Sequence, residues 1–124
     1  MLTRSQIERL RVFFEGRQEV TAAYLFGSEA TGRQRRGSDV DLALMARREI
    51  RGFERVNLET ELSSLLGRDV DVVIFGQASP LLKHQILRYG VRVYESDARE
   101  RVRQEVAGRY EYLDTRFLHR ELRG

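Results

Sequence analysis

Val20-Thr21-Ala22-Ala23-Tyr24-Leu25-Phe26-Gly27-Ser28, ten further residues, and then Asp39-Val40-Asp41-Leu42-Ala43-Leu44-Met45 form the stretch that decides how this chain reads. Val20 to Phe26 is a short apolar run of strand length, and Gly27-Ser28 ends it. Glu29 to Ser38 is polar and contains glycine, as a connection does. Asp39 to Met45 is a second apolar run with two carboxylates at its start. Aspartate is disfavoured inside strands, so this pair asks for a reason. An i, i+2 spacing puts Asp39 and Asp41 on one face, about 7 Å apart along the backbone. Left alone they would repel, and one would resist ionising. A hard divalent ion such as Mg²⁺ prefers carboxylate and phosphate oxygens and would make the pair useful. Two such ions can activate an attacking oxygen and stabilise a leaving pyrophosphate in an in-line displacement.

Working outward, a third acid stands in Val70-Asp71-Val72-Val73-Ile74. An acid among so many apolar residues faces solvent at a sheet edge or a functional cleft. If its strand neighbours the first acidic strand, Asp71 joins the same metal cluster and takes an acceptor's proton as general base. The other reading is an edge charge that discourages aggregation. Gly27 lets backbone approach a ligand closely, because no Cβ intervenes. A helix beginning at Ser28 would aim free N–H groups at a phosphate; a plain N-cap is compatible with that role. Arg33, Arg35 and Arg36 follow, as phosphate contacts or as a solvated loop.

The remaining elements frame this stretch. The sequence predicts a helix over Ser5 to Phe14, with Thr3 as N-cap, Gln6 closing a capping box, and Ile7, Leu10, Phe13 and Phe14 facing the core. A second helix is predicted over Arg51 to Leu66, with Phe53, Val56, Leu58, Leu62, Leu65 and Leu66 as its apolar side and Gly67 as cap. Asp69 to Phe75 is a β-branched strand. Ser79 and Pro80 open a helix that Gly90 closes, and Val91 to Tyr94 is a fourth strand. From Ala98 onward Val102, Val106, Tyr110, Leu113 and Phe117 recur at spacings of three and four, which predicts a long last helix. Tyr110 and Phe117 are expected in the core, with Tyr112 and Leu118 off the stripe and available to a partner. His84 and His119 lack ligand-spaced neighbours and read as surface or packing residues. The pattern implies an α/β (α+β) fold, a small mixed β-sheet of about four strands covered by helices.

The chain has 124 residues, 41% hydrophobic and 33% charged, with no cysteine and a net charge of +3. That length predicts a single domain over residues 1–124. Without cysteine there is neither a disulfide framework nor a thiolate metal site. No segment has the form of a signal peptide or a membrane span, so a cytoplasmic protein is expected. Arginine supplies nearly all the positive charge, Lys83 being the only lysine. The excess is small and spread out, so direct nucleic-acid binding is not expected.

Gly27-Ser28, ten residues, Asp39-x-Asp41 and a later acidic strand resemble the nucleotidyltransferase (polymerase beta-like) superfamily. Within it the chain is similar to the minimal nucleotidyltransferase branch, the MntA-like antitoxins paired with HEPN-domain toxins. Leu66-Gly67-Arg68-Asp69-Val70-Asp71-Val72-Val73, Ala78-Ser79-Pro80-Leu81-Leu82 and Tyr89-Gly90-Val91 carry the same resemblance, which covers roughly Ser5 to Leu113. It implies the polymerase beta-like fold and an enzyme that uses Mg²⁺ and ATP to place AMP on a tyrosine of a partner HEPN-family toxin, silencing it within a hetero-oligomer. Gly27, Ser28, Arg33 and Arg36 would then bind the nucleotide, and Asp39, Asp41 and Asp71 would hold metal and carry catalysis. One departure is Glu29 and Thr31, where relatives often carry basic residues. Competing functions are an antitoxin that neutralises by binding alone and an aminoglycoside-type transferase acting on a small molecule.

Overall fold

The computed structural model describes residues 2–27 and 39–123, with side chains described as far as residue 115. Helix α1 (Arg4–Glu15) opens with the expected reciprocal cap. Thr3 Oγ1 accepts from Gln6 N–H at 3.1 Å, and Gln6 Oε1 accepts from Thr3 N–H at 2.9 Å. Leu10 and Phe14 are buried, and Ile7 and Phe13 pack against them. Strand β1 spans Val20–Phe26 and β2 spans Val40–Ala46, so Asp39 stands just before the second strand. Helix α2 (Phe53–Leu66) ends on Gly67, which takes the left-handed conformation. Strand β3 (Val70–Ile74) runs into a single 3₁₀ turn, Phe75–Gln77. Helix α3 (Pro80–Tyr89), capped by Ser79, leads to β4 (Val91–Glu95) and to α4 (Ala98–Arg123).

The strands form one mixed sheet in the order β3-β2-β1-β4. β1 is antiparallel to β2 and β4, while β2 and β3 are parallel. The parallel pair is joined by α2, as such a pair requires a crossover. One sheet face carries Leu42, Leu44, Val72 and Ile74 and is covered by α1 and α2. The other carries Ala22, Tyr24, Ala43 and Met45 and is covered by α3 and α4. This is the α/β architecture expected, including the long last helix. Among the described residues, no helix is long and apolar enough to cross a membrane.

Two expectations about helix faces are overturned. In α2 only Leu58, Leu62 and Leu66 are buried, with Leu65 partly so, whereas Phe53 is 88% exposed and Val56 is also exposed. Phe53 and Val56 precede Leu58 by five and two residues, which turns them roughly half a turn from the buried row. The helix itself begins at Phe53 rather than Arg51. In α4 the apolar stripe faces outward: Val102, Val106, Tyr110 and Leu113 are 47%, 43%, 65% and 53% exposed. Tyr110 is therefore not a core residue, and the Phe117, Leu118 and His119 side chains lie outside the described residues. The face that α4 turns inward is polar. Gln104 Nε2 donates to the Ala46 carbonyl at 3.1 Å, and Tyr24 donates its hydroxyl to Glu105 at 2.6 Å. Arg101 pairs with both Glu95 and Glu105. Gly108 lets the helix close onto Phe75, where an added Cβ would meet the ring at 3.0 Å. Tyr112 is half-buried and stacks on His84, with ring centroids 3.8 Å apart.

Candidate active site

The topology gathers one end of three strands. β1 finishes where antiparallel β2 starts, so Phe26 is the register partner of Asp41. β3 starts alongside β2 because the two are parallel, and Asp41 is in register with Asp71. Strand alternation puts Asp41 and Asp71 on the sheet face of Ala43 and Met45, the side covered by α3 and α4. Asp41 is half-buried, and Asp39 and Asp71 are exposed.

Gly27 closes the corner. Its φ is +68°, a left-handed conformation that side chains resist, and a Cβ there would fall 2.5 Å from Asp41 Oδ2. A larger residue there would be strained and would displace the Asp41 carboxylate from the end of β1.

The acids act on one another. Burial raises the Asp41 carboxyl above its ordinary value, and Asp71 and Asp39 push it the same way. Asp71 is raised by burial, by the charges of Asp39, Glu59 and Asp69, and by a hydrogen bond with the Asp39 side chain. Two carboxyls keep such a contact by sharing a proton or a cation. The donor set is hard oxygen throughout, which fits Mg²⁺ and not a thiophilic or imidazole-seeking metal. Among the described residues no group of three such side chains is gathered tightly enough to hold an ion as it stands. The fit is one of donor chemistry and strand register.

The structure brings Asp39, Asp41, Asp71 and Gly27, all singled out from the sequence, to one corner. Ser28, Arg33, Arg35 and Arg36 lie outside the described residues. Sequence reasoning missed Glu59. That carboxylate accepts the Val72 N–H at 3.0 Å, satisfying a donor on the outer edge of β3, and Arg55 Nη1 donates to Glu59 at 2.8 Å. The i, i+4 pairing of Arg55 and Glu59 on α2 was the available signal.

A cavity of about 410 Å³ lies at the opposite ends of β2 and β3, beside Ala46 and Ile74. It is rich in cations, but Arg47, Arg48, Lys83 and Arg103 are held by Asp97, Glu54, Glu111 and Glu100. Their charge is already answered, and the acid corner is the better site for chemistry.

Comparison with known proteins points the same way. Residues 8–99 match the family model described as Polymerase beta, Nucleotidyltransferase. Over 71 residues the chain is 38% identical to protein adenylyltransferase MntA of Shewanella oneidensis. That stretch is 57% of this chain and 51% of the relative, so the match spans about half the relative's length. The fold matches a chain in a crystal structure of a toxin-antitoxin with AMP-PNP at a TM-score of 0.82 and 25% identity, covering 94% of each chain. It also matches a chain in the complex of a tri-AMPylated Shewanella oneidensis HEPN toxin with MNT antitoxin. There the TM-score is 0.74 over 94% of this chain and 91% of that one, and at 21% identity the likeness is one of fold.

Proposed function

Because the chain belongs to the polymerase beta nucleotidyltransferase family, we propose that it is a protein adenylyltransferase antitoxin, which moves AMP from ATP onto a tyrosine hydroxyl of a cognate HEPN-family toxin and so neutralises it. The observation that carries this reading is the register of Asp41 with Asp71, beside Asp39 and against a left-handed glycine where a Cβ would fall 2.5 Å from Asp41 Oδ2. The likeness to an adenylyltransferase and to a toxin-antitoxin crystallised with a nucleotide analogue supports the choice of donor and partner.

In this reading Gly27, Ser28, Arg33 and Arg36 bind the triphosphate, the glycine by close backbone approach and the arginines by their planar forks. Asp39, Asp41 and Asp71 would hold two magnesium ions. Bound there, Mg²⁺ would supply positive charge to the triphosphate and to the leaving pyrophosphate. Asp71 takes the proton of the tyrosine hydroxyl. The tyrosine oxygen forms a bond to the α-phosphorus, and the bond from that phosphorus to the bridging oxygen breaks. Pyrophosphate leaves with that electron pair. Exposure of Asp39 and Asp71 allows a docked protein to present its hydroxyl. The chain from residue 1 to 124 acts as one minimal nucleotidyltransferase domain, in the cytoplasm, within a hetero-oligomer.

The test is direct. Purified protein, its toxin, Mg²⁺ and ATP labelled at the α-phosphate should yield labelled toxin, and EDTA should prevent it. Neutralisation of the toxin with no label transferred would overturn the reading and leave an antitoxin that works by masking.

A further inference from the structure

Among the described residues strand β3 is an edge of the sheet, with β2 on its inner side. The Asp69 carbonyl accepts the Val40 N–H at 2.8 Å, so alternation turns the peptide groups of Asp71 inward to β2 as well. Val70 and Val72, on either side of Asp71, therefore turn theirs outward. An edge ordinarily offers such groups to water or to another chain.

Here they meet α2. Ser63 Oγ accepts the Val70 N–H at 2.9 Å, and Glu59 Oε2 accepts the Val72 N–H at 3.0 Å. Arg55 Nη1 donates to the Val72 carbonyl at 3.4 Å and to Glu59 Oε1 at 2.8 Å. The N–H and the C=O of Val72 are thus both answered by one ion pair, whose members also hold each other. Positions 55, 59 and 63 are four apart and form one row on the helix, next to the buried row of Leu58, Leu62 and Leu66. All three polar residues are half-buried. The leucines seat α2 on the sheet, and the polar row closes over its rim. The helix that crosses from β2 to β3 stands in for a fifth strand.

Water would satisfy an edge N–H equally well, but it would not fix the strand. The clasp does: β2 holds Asp71 in register with Asp41 from inside, and α2 holds the residues on either side of it from outside. Placement of this kind matters to a reaction, since a shift of about 1 Å can cost about 10²-fold in rate.

We propose that Glu59 and Arg55 are positioning residues for the transfer reaction, keeping Asp71 in the acid corner by taking a strand's place at Val72. This deepens the proposed function and rests on it. Both residues act through β3.

The experiment reads structure and turnover separately in the wild type, Glu59→Ala, Glu59→Gln and a Glu61→Ala control. Glu61 lies on the same helix and pairs with Arg17 instead. Circular dichroism and melting check the folds. In metal-free Glu59→Ala, amide exchange followed by NMR should be about 10-fold or more faster at Val72, with the β1 amides unchanged. In the reaction with toxin and ATP its kcat should fall by about 10- to 100-fold, with KM for ATP within about twofold. Glu59→Gln keeps an oxygen acceptor for the Val72 N–H, so it should restore the protection and bring kcat to within about threefold of the wild type. Glu61→Ala should match the wild type in both readouts. If Glu59→Ala fails to fold, Arg55→Met replaces it: it frees the Val72 carbonyl, leaves Glu59 in place, and should lower kcat by about threefold or more at unchanged KM. Wild-type kcat in Glu59→Ala, or in Arg55→Met where that replaces it, overturns the inference and leaves the transferase reading standing. So does a Glu59→Gln variant as slow as Glu59→Ala with Val72 still protected, because the charge and not the clasp would then be at work. A wild type that transfers no AMP overturns the proposed function and the inference together.

Discussion

The acid corner and the packing under α4 treat charge in opposite ways. Beneath α4 and around it, opposite charges meet: Arg101 lies between Glu95 and Glu105, and Arg47 reaches Asp97 at 2.6 Å. At the start of β2 and β3, carboxylates meet carboxylates, and every charge named as acting on Asp41 and Asp71 is acidic. Among the described residues, Arg47 and Arg101 are spent on acids elsewhere. The difference separates a region arranged for stability from one arranged around a charge brought from outside. Substitutions at the two places should therefore fail differently.

The largest effect belongs to the corner. Asp39→Asn or Asp41→Asn should lower AMP transfer by about 10³-fold or more, while circular dichroism shows an unchanged fold. Wild-type turnover in either variant at matched Mg²⁺ would erase the distinction between the regions. Next is Asp71→Asn. A general base acts in the transition state, so kcat should fall by about 10²–10⁴-fold while ATP affinity, read by calorimetry, stays within a few fold. Loss of affinity with kcat preserved would move Asp71 out of that role.

The paired region should show the reverse. Arg101→Met strips one cation from two partly buried acids and should cost about 2 kcal/mol in urea unfolding. Its kcat for transfer should be unchanged. A loss of turnover with stability intact would contradict the division.

The smallest effect has the opposite sign. Asp41 and Asp71 are raised above their ordinary values, chiefly by burial and then by neighbouring acids. The native state then holds protons that the unfolded chain has released, so stability falls as pH rises through the elevated values. In metal-free protein at pH 7, Asp41→Asn should melt a few degrees higher than the wild type. That gain should shrink as pH drops through the elevated values and the wild-type acids take up their protons. A destabilised variant in calorimetry would mean that Asp41 is paired after all.

Local chemistry in the sequence carried much of this. The Thr3–Gln6 box, the Ser79-Pro80 start and the Gly67 and Gly90 stops are written into single residues, and the elements begin and end accordingly. The acid corner was legible because aspartates at the head of apolar runs contradict strand propensity, and register then brought Asp41 beside Asp71. Direction was not legible. Periodicity reports that α4 has an apolar stripe, but which side meets the sheet depends on Tyr24, Ala46 and Phe75, far away in sequence. Phe53 and Val56 were assigned to the buried side of α2 for a similar reason, since two apolar faces on one helix look like one broad face. The i, i+4 spacing of Arg55 and Glu59 marks a pair on α2, but that Glu59 closes the edge of β3 follows only from the strand order.

Mass spectrometry of the toxin recovered from cells tests the central claim most directly. Co-expressed with this protein, the toxin should carry an added AMP on a tyrosine, and the cells should grow. Co-expressed with an Asp39→Ala/Asp41→Ala double variant, it should be unmodified, and growth should fail. Growth restored by the double variant, with the toxin unmodified, would contradict the account.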